Sequence, residues 1–210
     1  MNVLTMIHIA GGTIALLAGA LALIYRKGGV SHRNAGIAFA ASMLVMAVPA
    51  TGMSLAIGKP FDSLSGVLTI YFVLTGVFTY RFEAYRPGLL MGLGAFCMLG
   101  YLGVEIYGSL TGVRETDAPP GAGYVFATLL ALALIGDARR LRQAYPYRRA
   151  KVRHVWRMSV AFLMATVNIF GVRPHLFPTW LQESGLLILL AFGPLLVMAW
   201  WMFVLRPRSA

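Results

Sequence analysis

The sequence predicts an all-α fold, an integral membrane bundle of seven transmembrane helices with the amino terminus outside and the carboxyl terminus inside. Three observations carry this. Seven apolar stretches divide the chain, at roughly 3–25, 34–57, 64–80, 88–108, 121–136, 155–172 and 185–205. The composition is 59% apolar and 12% charged, against about 45–50% and about 25% in soluble domains. The basic residues also fall on alternate connections. Loops 26–33, 81–87 and 137–153, with Arg157 and the tail 206–210, hold all but three of the 18, the exceptions being Lys59, Arg114 and Arg173. Short basic loops stay cytoplasmic. The whole of 1–210 reads as a single transmembrane domain.

A helix needs about 20 apolar residues to cross the hydrocarbon. The run from Val3 to Tyr25 meets this, and no Lys or Arg precedes Arg26. It lacks the basic n-region of a signal peptide and exceeds an h-region of about 7–15 residues, so a retained helix is expected. His8, Gly12, Ala15, Gly19 and Ala22 share one of its faces, and small residues there allow close helix approach. Arg26-Lys27-Gly28-Gly29 ends helix 1, and Ser31 is a fitting N-cap for helix 2. Gly58-Lys59-Pro60 ends helix 2. The third and fifth stretches are short and call for tilt or local thinning. Arg86-Pro87-Gly88 separates helices 3 and 4, and Gly92, Gly94, Gly100 and Gly103 predict tight packing of helix 4. Pro119-Pro120-Gly121 introduces helix 5. Tyr145-Pro146-Tyr147 interrupts the long basic loop, and Pro174 and Pro178 keep the last outer connection irregular.

The net charge of +11 does not indicate nucleic acid, since the cations sit at helix ends and no known binding module fits. The expected partner is the bilayer. Arg139, Arg140, Arg142, Arg148, Arg149, Lys151 and Arg153 are expected to contact anionic lipid head groups at the cytoplasmic face. The one cysteine, Cys97, lies within the fourth stretch and reads as a small buried thiol.

Ionisable groups inside a membrane are costly and often functional. His8 and His175 belong to the outer side; His32 and His154 stand where helices begin at the cytoplasmic side. Facing imidazoles can ligate haem iron, and a neutral imidazole can contact a quinone, so His8, His32 and His154 are the candidate cofactor-binding residues, with haem b or quinone as the cofactor. Glu105, inside helix 4, can join His8 and His175 in an outward metal site. Against these stand plainer readings: interfacial histidines bonded to water and carbonyls, and a carboxylate bonded to a neighbour such as Tyr101. Asn168 shares a stripe with His154 through Met158, Ala161 and Ala165, as a packing or polar-path residue. Ser31-His32-Arg33 and Arg153-His154-Val155 form a faint echo, each opening a helix from the same side.

Two segments carry a resemblance. "RKGGVSHRNAG" (Arg26 to Gly36) and "GDARRLRQAYPYRRAKVRHVWRMSVAF" (Gly136 to Phe162) resemble a large family of bacterial multi-pass inner-membrane proteins of unknown function. That family has a His early in helix 1, a KGG-x-x-HR turn and an H-x-WRM helix start. His8, Lys27, Gly28, Gly29, His32, Arg33, His154, Trp156, Arg157 and Met158 stand at matching positions. The run "NIFGVRPHLFP" departs from the pattern, so His175 is not carried over. The resemblance implies a bacterial inner-membrane location and adds no activity. Three functions remain open: a non-catalytic carrier, accessory or structural protein; a haem- or quinone-linked redox protein; and an outward-facing metal-dependent hydrolase.

Overall fold

A computed structural model describes residues 2–80, 87–113, 118–142 and 147–205, without the side chains of 87, 142 and 147–149. Its regular structure is helical throughout. The long helices are α1 (Val3–Ile24), α2 (Val30–Ala56), α3 (Pro60–Val77, extended by a 3-10 turn Phe78–Tyr80), α4 (Pro87–Thr111), α5 (Ala122–Arg142) and α6 (Tyr147–Thr166, extended by a π turn Val167–Gly171). A 3-10 turn Pro174–Leu176, a short α7 (Thr179–Glu183) and α8 (Leu186–Val204) complete the chain. Among the described residues, α1, α2, α3 with its 3-10 turn, α4, α5 and α8 are each long and apolar enough to cross a membrane, six helices in all. This is the make-up of a multi-pass membrane protein. The helix α6 differs, because its first three turns carry Arg148, Arg149, Lys151, Arg153 and Arg157.

The backbone packs as three hairpins around one axial helix. α1 lies along α2, α4 along α5 and α6 along α8, while α3 touches α2, α4 and α6. α3 is accordingly buried along most of its length. The small face of α1 packs closely but is centred slightly off the predicted stripe: Gly11, Ala15, Ala18 and Gly19 are buried while Gly12 and Ala22 are half-buried, and a Cβ on Gly11 would lie 3.0 Å from the Met46 nitrogen and 3.1 Å from the Ser42 oxygen. The α1 and α2 backbones therefore meet directly. Further along, Gly19 makes room for the rings of Phe39 and Phe162, which pack edge to face at 5.7 Å. A second aromatic group, Phe61, Tyr101 and Phe126, joins α3, α4 and α5.

Prolines stand inside α2 (Pro49) and α8 (Pro194). A helical proline removes one backbone donor and distorts the turn before it. In both helices a neighbour's side chain reaches that turn. His8 Nδ1 lies 2.9 Å from the Met46 oxygen, and Thr166 Oγ1 donates to the Ala191 oxygen at 2.7 Å. Each accepting residue is three positions before its proline. Such side-chain repair is what allows proline in a helix surrounded by lipid.

Two boundaries differ from expectation. Most of the basic segment 137–153, expected as a loop, is helix: α5 runs to Arg142 and α6 starts at Tyr147. Arginine is a good helix former, and the expected ends stopped at the first charges rather than at a helix breaker. α2 also starts at Val30 with Gly29 as its N-cap, not Ser31.

Candidate functional site

One end of the bundle gathers the ends of α1, α3, α5 and α8 and the starts of α2 and α6. Within it lies a buried ionic cluster drawn from three helices. Each helix supplies it through the same spacing. Residues four apart share a helix face, and the cluster uses Tyr71, Thr75 and Thr79 on α3, Ala133 and Asp137 on α5, and Arg153 and Arg157 on α6.

Asp137 is the hub. Its Oδ1 accepts from Arg153 Nη2 at 2.7 Å, Arg153 Nε at 3.1 Å and Arg157 Nη2 at 2.9 Å. Its Oδ2 accepts from the Tyr71 hydroxyl at 2.8 Å. Arg153 Nη1 donates onward to Thr79 Oγ1 at 2.6 Å and to the Thr75 carbonyl. Arg157 donates to Thr75 Oγ1 at 3.1 Å and to the Ala133 carbonyl at 2.7 Å. Arg140 donates to the Thr79 carbonyl at 2.6 Å. The relative exposures of Asp137, Arg153 and Arg157 are 2%, 3% and 0%, so the charges meet protein rather than water.

Arg157 is the most enclosed. Its guanidinium carbon stands 4.7 Å from the Trp156 ring centroid, 5.1 Å from Tyr71 and 5.3 Å from Phe72. Aromatic faces attract a cation, and more so when it is desolvated. The rings and Asp137 together offset the loss of hydration. The arginines and Thr75–Thr79 also close the end of α3, whose last carbonyls lack helical partners and present the negative end of the helix dipole.

His32 Nδ1 lies 2.9 Å from the Ala22 oxygen at the end of α1, where Lys27 Nζ donates to Ala22 at 2.7 Å and to Leu23 at 2.6 Å. Partial burial lowers the Lys27 pKa from its ordinary 10.5. Gly28, at φ +83°, lets the chain reverse so that both side chains fold back on α1. The KGG-x-x-H turn thus works as a helix cap. His154 Nδ1 lies 3.1 Å from the Gly76 oxygen at the end of α3. The echo between the two His-containing helix starts therefore has a shared physical content, since each histidine caps the end of a neighbouring helix.

A carbonyl oxygen only accepts, so Nδ1 carries the proton in His8, His32 and His154 alike. A neutral ring then presents Nε2 as an acceptor or ligand. The expected donation from a neutral imidazole to a quinone carbonyl is not available in this tautomer.

Glu105 is buried, and its oxygens accept from the Gly121 amide at 3.3 Å and the Gly123 amide at 3.0 Å. A carboxylate on the first amides of α5 is favoured by orphan donors and helix dipole together. Tyr101, offered as its neighbour, instead bonds Ser65 at 2.9 Å. Among the described residues no three His, Cys, Asp or Glu side chains gather to hold a metal ion, and His175 lies exposed in its 3-10 turn. The structure therefore does not assemble His8, Glu105 and His175.

The seven expected head-group contacts divide. Arg139 and Lys151 are exposed. Arg140 and Arg153 are buried and turn inward, because α5 and α6 extend through the basic segment and put one face of it against α3. The side chains of Arg142, Arg148 and Arg149 lie outside the described residues. Asn168 is exposed, although Ala161 and Ala165 on its expected stripe are buried. The π turn begins at Val167 and breaks the 3.6-residue register.

Asp137 and Tyr71 were not singled out by sequence reasoning. One signal was present: Asp137 is the only acidic residue of the segment 137–157, among eight basic ones. A lone carboxylate in such company marks an ion pair.

No protein-family model, curated protein or solved structure matches this chain.

Proposed function

We propose that this chain is a non-catalytic carrier or accessory protein of the bacterial inner membrane, of the family its KGG-x-x-HR turn and H-x-WRM helix start resemble. It spans the bilayer seven times with its amino end outside, and the Asp137 cluster is the lock that holds its cytoplasmic end closed. The observation carrying this reading is one carboxylate shared by two guanidiniums and a tyrosine, from three helices, in a fully buried position. Ionised groups are retained inside membrane domains where they line a pathway or switch it. A lock made of ion pairs can be formed and released, whereas an apolar seam of the same area has no comparable trigger.

The packing supports the same reading. α5 is tied to α3 and α6 mainly through these side chains, and its main helix partner is α4. Release of Asp137 would free the α4–α5 hairpin at one end. The prolines of α2 and α8 supply bends in the helices on the other side of α3. The seventh span is α6 with its π turn, residues 147–171. At about 1.5 Å per residue it is long enough to cross, with Arg153 and Arg157 bonded to Asp137 and Arg157 also enclosed by aromatic rings. The exposed Arg26, Arg33, Arg139 and Lys151 then share the cytoplasmic face, where anionic head groups attract them.

A single-cysteine chain tests the lock. Cys97→Ser combined with Ala133→Cys puts a thiol one turn above Asp137. In vesicles of either orientation, adding Asp137→Asn should raise labelling by a membrane-impermeant maleimide severalfold from the cytoplasmic side and leave the outer side closed. Unchanged labelling in a variant that still folds would overturn the reading.

A further inference from the structure

The four hydrogen bonds received by Asp137 come from two helices, while the carboxylate itself comes from a third. Tyr71 belongs to α3, and Arg153 and Arg157 belong to α6. α3 and α6 pack on each other without help from α5. Gly76 of α3 makes room for Met158 and for the Cβ of Arg157. The Phe72 and Trp156 rings meet edge to face at 5.6 Å, and His154 Nδ1 donates to the Gly76 carbonyl. Thr75 and Thr79 of α3 also hold the Nη1 atoms of Arg157 and Arg153. α5 reaches this pair mainly through Asp137, the Ala133 carbonyl and Arg140, and its main helix partner is α4.

The cluster is therefore a carboxylate receptor built on α3 and α6, with its ligand delivered by a separate hairpin. Donors fixed before a ligand arrives lose little freedom on binding it, and guanidinium N–H groups match a carboxylate in charge and shape. If Asp137 withdraws, the two guanidiniums are left buried without their anion, which is costly. A second carboxylate in the same place removes that cost. Arg157 holds one donor that the closed cluster leaves over, since its Nε is buried and meets no acceptor among the described residues.

The donor set also limits the ligand. Three N–H bonds fall on one oxygen and one O–H on the other, which provides for two oxygens. Phosphate or sulfate would bring further oxygens for which this set has no place. The space filled is that of an aspartate side chain, one methylene and one carboxylate, so the ligand is small. Exposed Arg26, Arg33 and Arg139 at this end raise the local concentration of anions.

We propose that this chain carries a small monocarboxylate, of the size of acetate, which takes the place of Asp137 on Arg153, Arg157 and Tyr71 and so opens the lock. The reading of Asp137 as a lock underlies this assignment.

The test uses the full chain in mild detergent. Sodium acetate is the probe, with sodium chloride and sodium phosphate at the same ionic strength as controls. Asp137→Gly removes the internal carboxylate and leaves its space. Acetate should raise the thermal midpoint of this variant by several degrees and saturably, and neither control should. The intact cluster is read by accessibility. In the single-cysteine chain carrying Ala133→Cys, acetate should raise maleimide labelling severalfold over chloride. With Asp137→Asn added, labelling should already be high and should not respond to acetate. Labelling of the intact cluster that ignores acetate, or follows phosphate or chloride equally, overturns the proposal. So does an Asp137→Gly midpoint that ignores acetate; where that variant does not fold, the labelling decides alone. The lock is read in chloride alone, by Asp137→Asn. High labelling there with an intact cluster deaf to acetate keeps the lock and removes this cargo. Low labelling there with an acetate-dependent Asp137→Gly midpoint removes the lock and keeps the carboxylate site.

Discussion

Asp137 accepts three N–H bonds on one oxygen and a phenol on the other. Two cations facing one anion at almost no exposure leave little room for change, because removing the anion strands both guanidiniums. Asp137→Asn is expected to cost about 3–5 kcal/mol, the scale for breaking a buried pair from one side. Tyr71→Phe removes one hydrogen bond to a charged group and should cost less, about 1.5–3 kcal/mol. Equilibrium unfolding in detergent checks the order of the two. Equal losses would show that the phenol, and not the ion pair, supports the cluster. Arg157→Met belongs with the larger effect, since Arg157 also holds Thr75, Ala133 and three aromatic rings. None of this was legible from Asp137 in isolation. The residue sits one position past the expected end of an apolar stretch, where a charge looks like an ordinary loop residue.

The helices owe their ends to side chains more than to sequence punctuation. α5 starts on Glu105, whose methylene occupies the place a Cβ on Gly123 would need. Glu105→Ala should destabilise by about 0.5–2 kcal/mol, as loss of an N-cap does. Glu105→Gln should keep part of that, because an amide oxygen still accepts one bond. A midpoint ranking of parent, Gln and Ala variants measures it; a bound-metal role for Glu105 would instead make Gln as damaging as Ala. The turn before Pro49 depends on His8 in the same way. His8→Ala should cost about 0.6–1.7 kcal/mol, the range for hydrogen bonds between membrane helices. Faster hydrogen exchange confined to the middle of α2 would locate the loss. These contacts were partly readable: the small-residue face of α1 and the position of His8 on it follow from spacing, whereas the carbonyl that His8 meets depends on how α2 is bent by its proline.

Across the whole molecule, α6 decides the topology. Six apolar crossings would return both termini to one side, and a seventh puts them on opposite sides. We expect reporters fused to the two ends to report an amino terminus outside and a carboxyl terminus inside. Both reporters on one side would mean that α6 lies along the surface, and the lock would then be at an interface rather than within the bilayer. The arginines of α6 make it fall short of the apolarity that marks the other six helices, yet two of them, Arg153 and Arg157, are the most deeply enclosed arginines among the described residues. A hydropathy average treats each of them as a charge in lipid. The folded chain presents two of them, Arg153 and Arg157, as charges in protein, bonded to Asp137.

The solvent and the helical state follow from the residues alone, because composition and the length of apolar runs act through the bilayer without reference to contacts, and lipid leaves the backbone little choice but helix. So does the face of α1 that packs, because glycine and alanine spacing is a local property. The partners of the polar groups come from the packing of the helices. Whether Arg140 and Arg153 reach head groups or a buried carboxylate depends on where α5 and α6 stop and which face they turn to α3. Those are properties of helices meeting one another, set by contacts far apart in the chain.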